Sequence, residues 1–154
     1  MSITTTTHLN FHGEARAALE FYRSVFGGRV SIATYGEFGM PADAPGASNV
    51  VFGQVETDEG FRVMAYDIPG EATGSSDTGS TRRENGTTIT DQSFFVSVRG
   101  ETLDEVQRYW SALAVGATVV EDLAASAWSP GFGMLTDAFG VTWILDVATE
   151  YDAG

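Results

Sequence analysis

Two hydrophobic spacings, one for strands and one for helices, follow each other along the chain and do so twice. Residues 4–11 are rich in β-branched side chains and read as a strand. Gly13 ends it, and residues 14–26 then carry Ala15, Ala18, Leu19, Tyr22 and Phe26 at helical spacing. Glu14 stands at the start of this helix, where the dipole favours a negative charge, and Gly27-Gly28 stops it. Residues 29–35 read as a second strand. A loop over 36–48 holds Pro41, Pro45 and glycines. Residues 49–56 and 61–68 follow as strands, with Asp58-Glu59-Gly60 as the turn of a hairpin.

Residues 69–91 are rich in Gly, Ser and Thr, lack apolar periodicity, and read as a long connecting loop. The first pattern then returns. Residues 92–98 read as a strand. Thr102 opens a helix with Glu105 three residues on, as a capping box requires. Its apolar face is Leu103, Val106, Tyr109, Trp110 and Leu113, and Gly116 ends it. Residues 117–120, 132–136 and 141–147 read as strands, with a loop over 126–131 and a turn at Asp137-Ala138-Phe139-Gly140. Gly13-Glu14 matches Gly100-Glu101, and Tyr22 matches Tyr109, both 87 positions apart. The expected architecture is a single α+β domain over residues 1–154. It has a first βαβββ module over 1–68, a linking loop over 69–91, a second module over 92–148 and a tail over 149–154. Neither module can bury both faces of its sheet alone, so a curved mixed sheet around a central cleft is expected, with helices outside.

Composition narrows the chemistry. Cysteine is absent, which excludes disulfides and thiolate chemistry. No apolar run approaches the ~20 residues of a membrane helix. The segment Met1 to His8 lacks a basic region followed by an apolar stretch, so no signal peptide is expected and the cytoplasm is the simplest location. Eight basic against 21 acidic residues leave a formal charge of -13, which repels nucleic acid and anionic membranes. A cationic ligand remains compatible with it.

The order of elements resembles the vicinal oxygen chelate superfamily, which includes glyoxalase I, extradiol dioxygenases and bleomycin-resistance proteins, and within it the PhnB-like branch. Three stretches carry the resemblance: Leu9-Asn-Phe-His-Gly-Glu14 with Ala18-Leu-Glu-Phe-Tyr-Arg-Ser-Val-Phe-Gly-Gly28, then Val63-Met-Ala-Tyr-Asp67, then Trp128-Ser-Pro-Gly-Phe-Gly-Met-Leu-Thr-Asp-Ala-Phe-Gly-Val-Thr-Trp143. The resemblance implies the fold more firmly than any activity, because one scaffold hosts many chemistries. It also implies a homodimer.

Metal-dependent relatives place four His or Glu ligands on four inner strands. Projected here, those positions fall on Thr7, Met64, Ser93 and Ile144, none of which is a usual ligand. A one-residue shift of the first strand would bring in His8 instead. His8 and His12 are no pair, since four residues of strand hold them roughly 13 Å apart. No metal and no cofactor is therefore expected. The serines lack a nucleophile elbow. Gly131-Phe-Gly133 precedes a strand and is no dinucleotide fingerprint. No glycine-rich strand-to-helix turn would cradle a methyl donor, which counts against the methyltransferase label often given to the PhnB-like branch.

Alternation instead suggests a pocket lining of Thr7, Leu9 and Phe11 on the first strand, Met64 and Tyr66 on the hairpin strand, and Ser93 and Phe95 opening the second half. Ile144 and Asp146 join from the last strand, and Trp128 sits over the cleft mouth. Such a lining suits an aromatic or cationic small organic molecule. Asp67 and Asp137 read as structural, the first at a strand end and the second starting a turn. Three functions stay open: a metal-free small-molecule-binding protein, a metal-dependent lyase or dioxygenase of the glyoxalase type, and a dimeric structural or regulatory protein without a small ligand.

Overall fold

The structure, a computed structural model, describes residues 2–70 and 79–149. The chain divides into two compact units, Met1–Ser76 and Asp77–Gly154. In the first, β1 (Thr7–Phe11), α1 (Ala15–Phe26), β2 (Arg29–Thr34), β3 (Val50–Glu56) and β4 (Arg62–Asp67) follow in order, with a 3-10 turn at Gly36–Phe38. The sheet runs β1-β4-β3-β2, with β1 parallel to β4 and the other neighbours antiparallel. The apolar stripe expected for α1 is its buried face: Ala15, Ala18, Leu19 and Tyr22 are fully buried. A side chain on Gly53 would collide with Leu19, so the helix lies directly on β3. Leu9, Gly53 and Ala65 stand in one row across the sheet, which places their face under the helix.

The second unit repeats that order as β7 (Val96–Gly100), α2 (Leu103–Leu113), β8 (Thr118–Ala124), β9 (Phe132–Thr136) and β10 (Thr142–Val147). Its sheet runs β7-β10-β9-β8, again with the first strand parallel to the last. Each module is thus a βαβββ unit, and the α+β class expected from the sequence holds. Val106 and Leu113 of α2 are buried with Leu135, Trp143 and Leu145 of the sheet. Thr102 caps the helix, its Oγ1 accepting the Glu105 N–H at 3.2 Å, while the Glu105 carboxylate accepts the Glu101 N–H at 3.3 Å. No helix among the described residues is long and apolar enough to cross a membrane.

Two expectations are corrected. The stretch 69–91 is not wholly loop. Residues 71–78 lie outside the described residues, but beyond them β5 (Thr81–Glu84) and β6 (Thr87–Thr90) form a hairpin. Its turn is Asn85-Gly86, with φ of 52° and 76°; positive values at both central residues are what a tight type I′ turn needs. The strand expected over 92–98 instead begins at Val96, so Ser93 and Phe95 precede it. The tail beyond Thr149 lies outside the described residues.

Candidate functional site

In each unit one sheet face lies under the helix and the other turns away from it. In the first unit the second face carries His8 and Asn10 on β1, in register with Met64 and Tyr66 on β4. His8 meets the Tyr66 ring edge-on at 5.2 Å, and its Nδ1 lies 3.1 Å from Asn10 Oδ1. The expected lining by Thr7, Leu9 and Phe11 is therefore off by one residue. Leu9 and Phe11 are 2% and 6% exposed, in the core on the helix side, and Thr7 shares that side. Burying an apolar residue under the helix outweighs leaving it to a cleft. Met64 and Tyr66 do stand on the face away from α1, both half-buried.

In the second unit the corresponding face holds Ser97 and Arg99 on β7, Thr142, Ile144 and Asp146 on β10, and Phe132, Met134 and Thr136 on β9. The β5–β6 hairpin covers one end of it. The Thr88 hydroxyl lies 3.8 Å from the Met134 sulfur. Gln92 Oε1 accepts the Thr142 hydroxyl at 2.7 Å and also the Thr81 hydroxyl. Arg83 reaches from β5 over the Phe132 ring, 5.4 Å from its centroid. Its Nη1 donates to Thr88 Oγ1 at 2.8 Å, and its Nε lies 3.7 Å from the Glu121 carboxylate. Ser93, exposed, and Phe95, half-buried, are not part of this face.

The other end of the same face opens into a groove of about 790 Å³. Arg99, Trp128, Ser129, Asp146 and Val147 are among its walls. Arg99 lies side-on against Asp146: Nε donates to Oδ1 at 3.1 Å and Nη2 to Oδ2 at 3.0 Å. The carboxylate is shielded and the guanidinium is not, with side-chain exposures of 7% and 65%. Hydrogen bonding to Asp146, then its charge, lifts the Arg99 pKa above the ordinary guanidinium value. Trp128 is 52% exposed and stands edge-on to Phe132 at 5.2 Å. The loop that presents it is tied down: Ser126 Oγ accepts the N–H groups of Trp128 and Ser129 at 3.3 and 3.1 Å. Ser129 Oγ lies 2.8 Å from the Gly131 carbonyl and 2.9 Å from that of Val147. Two residues expected at a site, Trp128 and Asp146, thus meet in one groove. Arg99 joins them unforeseen. Its signal was the alternation Ser97-Val98-Arg99, hidden because the strand was expected to end at Val98, one residue short of Arg99.

Neither Asp67 nor Asp137 is a catalytic candidate. Asp67 is buried at the end of β4, where Oδ1 accepts the N–H groups of Gly13 and Ala15 at 2.8 and 3.0 Å and Oδ2 accepts that of Val50 at 2.9 Å. Asp137 Oδ1 accepts the Phe139 and Val141 N–H groups, and Oδ2 accepts the Trp143 indole at 2.9 Å. Both carboxylates are consumed by backbone and indole donors.

The donor chemistry does not fit a chelated divalent ion. On the faces away from the helices, the parallel strand pairs offer His8 with Met64 in one unit and Ser97 with Ile144 in the other. Of these only the His8 imidazole is an ordinary ligand. No group of three or more His, Asp or Glu side chains gathers among the described residues.

A βαβββ module built twice, each sheet ordered 1-4-3-2 with a parallel outer pair, defines the class of glyoxalase-type folds. The model of the Glyoxalase/Bleomycin resistance protein/Dioxygenase superfamily matches residues 7–145, and the chain belongs to that superfamily. Its fold is similar to protein PA1353 from Pseudomonas aeruginosa, at a TM-score of 0.70 and 24% identity over 95% of this chain and 98% of that one. It is also similar to a PhnB protein from Bacillus cereus whose name carries a 3-demethylubiquinone-9 3-methyltransferase label, at 0.66 and 25% over 95% and 100%. A glyoxylase/bleomycin resistance protein/dioxygenase domain from Frankia sp. EAN1pec has the same fold at 0.64 and 11% over 97% and 99%. No curated protein matches the chain.

Proposed function

We propose that this chain is a metal-free, PhnB-like small-molecule-binding protein of the superfamily, acting as a cytoplasmic homodimer. The observation that carries the reading is the groove beside β10, with a half-exposed Trp128 on one wall and a fixed polar pair, Arg99 and Asp146, on another. Apolar and aromatic walls with a few oriented polar groups are what a small organic ligand needs. The donor set on the parallel strand pairs supports the metal-free part: Met64 and Ile144 present apolar atoms where a Lewis-acid mechanism needs ligands. Subcellular location and dimerisation rest on composition and family likeness.

The test pairs metal analysis with ligand screening. Protein purified without chelator or affinity tag should carry no stoichiometric divalent metal, and no divalent ion in a thermal-shift series should stabilise it. A bound metal that raises the melting temperature would overturn the metal-free reading and favour a lyase or dioxygenase. Screening aromatic compounds against the same protein should return stabilising ligands whose effect is lost in Trp128→Ala. Light scattering at high concentration should give the mass of a dimer, and a monomeric mass would remove that part of the proposal.

A further inference from the structure

Resting on the groove proposed above as a ligand site, we infer that its ligand is an aromatic anion: a flat ring bearing a carboxylate. The charge of the chain as a whole argues the other way. With 21 acidic against 8 basic residues, a cation would be the default guess, and Asp146 would be the group to bind it. The local geometry reverses that guess. Both Asp146 oxygens are engaged by Arg99, at 3.1 and 3.0 Å, and the carboxylate is almost wholly shielded. An incoming cation would have to displace a guanidinium already held in two hydrogen bonds.

Arg99 has the opposite disposition. Only Nε and one hydrogen of Nη2 are needed for the pair, so the Nη1 edge of the planar fork has no partner among the described residues. That edge belongs to an exposed side chain lining the groove. A guanidinium whose other edge is fixed by a carboxylate is pre-oriented. A second carboxylate meeting it loses little side-chain entropy and gains charge-assisted hydrogen bonds. Asp146 therefore acts as a positioning residue for Arg99, and Arg99 as the anion contact.

The ring half of the inference comes from the same row of the sheet. Arg99, Asp146 and Phe132 are register partners on β7, β10 and β9, so they share one face. Two strand spacings, about 10 Å, separate the outer members of the row. Trp128 stands against Phe132 at the aromatic end, with its indole half exposed on the groove. Arg83, the other cation near Phe132, has a side chain only 13% exposed and is not among the walls of the groove, so it does not compete for the anion there. A guanidinium edge on one wall of the groove and the half-exposed Trp128 indole on another define a ligand with a carboxylate on a flat ring.

Three probes of one shape decide the matter: benzoate, neutral benzamide and cationic benzamidine. The readout is the indole N–H resonance of Trp128, assigned by its loss in Trp128→Phe and followed through each titration. Benzoate should shift that resonance saturably and bind tighter than benzamide by about tenfold or more, with benzamidine weakest. Arg99→Gln should bring benzoate down to the level of benzamide. If benzamide or benzamidine matches or exceeds benzoate while moving the Trp128 signal, the groove stands and the anion inference is overturned. If none of the three moves it, the groove reading itself fails, and the inference with it. The wild-type ranking is independent of any variant, so a misfolded Arg99→Gln leaves the decision intact.

Discussion

At the scale of single residues, the buried carboxylates of Asp67 and Asp137 hold backbone. Asp67 links three segments, the turn before α1, the first turn of α1 and the start of β3, through N–H donors at Gly13, Ala15 and Val50. Asp67→Ala leaves buried donors unsatisfied and should destabilise the chain by about 3–5 kcal/mol, read as a drop in urea midpoint with little change in slope. A loss below about 1 kcal/mol would mean that water replaces the carboxylate. The neighbouring Tyr35 donates its hydroxyl to the Asp67 carbonyl at 2.6 Å. Burial first, then Tyr66 and Asp67, lift its pKa above the ordinary 10.0. A pKa raised on folding means that the folded chain holds this proton more tightly than the unfolded one. Its stabilisation is complete below the ordinary tyrosine pKa and is lost as pH rises through the folded value. Denaturation followed above about pH 10 should therefore show a decline that Tyr35→Phe makes shallower, from a starting point about 1 kcal/mol lower. The structural role of Asp137 was legible in the sequence, because an Asp opening a Phe-Gly turn has a local reason to bond its own backbone. The role of Asp67 as a bracket was less so, since none of its three donors is near it in sequence.

At the scale of elements, helices and the central strands could be read because one face of each is apolar, and what failed were elements without that contrast. β5 and β6, Thr-Arg-Arg-Glu and Thr-Thr-Ile-Thr, have almost no apolar alternation. Only the Asn85-Gly86 dipeptide announced the hairpin. The start of β7 was misjudged because Phe94 and Phe95 look like strand residues. Pairing with β10 begins at Val96, opposite Trp143, and in that register Arg99 stands opposite Asp146. The β1 alternation is legible in the sequence, but its apolar face, Leu9 and Phe11, packs under α1 and leaves His8 and Asn10 on the other side. Packing between elements also sets a sharp test at β9. A Cβ on Gly133 would lie 2.7 Å from the Trp110 ring and 3.0 Å from the Leu123 Cα, one a rigid aromatic of α2 and the other backbone of β8. Neither can move without shifting its element, so Gly133→Ala should cost about 1–3 kcal/mol by overpacking. A neutral result in thermal or urea denaturation would show that α2 rides loosely on its sheet.

At the scale of the whole molecule the sequence displays two things that no single element does: the repeat and the charge. The repeat fixed the fold class, because the same strand order with the same parallel pair appears in both units. The charge of -13 was no guide to the groove, whose one guanidinium is exposed and paired with a shielded carboxylate. It should instead govern stability. With 8 cations for 21 acids, there are too few cations to pair most acidic side chains one to one, and exposed pairs such as Arg29 with Asp58 and Arg82 with Glu84 are worth little. Self-repulsion among the rest opposes the compact state and is screened once the Debye length falls below their spacing, about 10 Å at 0.1 M salt. The melting temperature should therefore rise by a few degrees between about 10 mM and 300 mM NaCl. Choline chloride at equal ionic strength should give the same rise, because screening depends on charge density and not on the cation. A rise with sodium alone would point to bound cations instead of screening. A melting temperature that stays flat or falls with salt would mean that the acidic residues are compensated locally after all, and that the few exposed ion pairs contribute more than their geometry suggests.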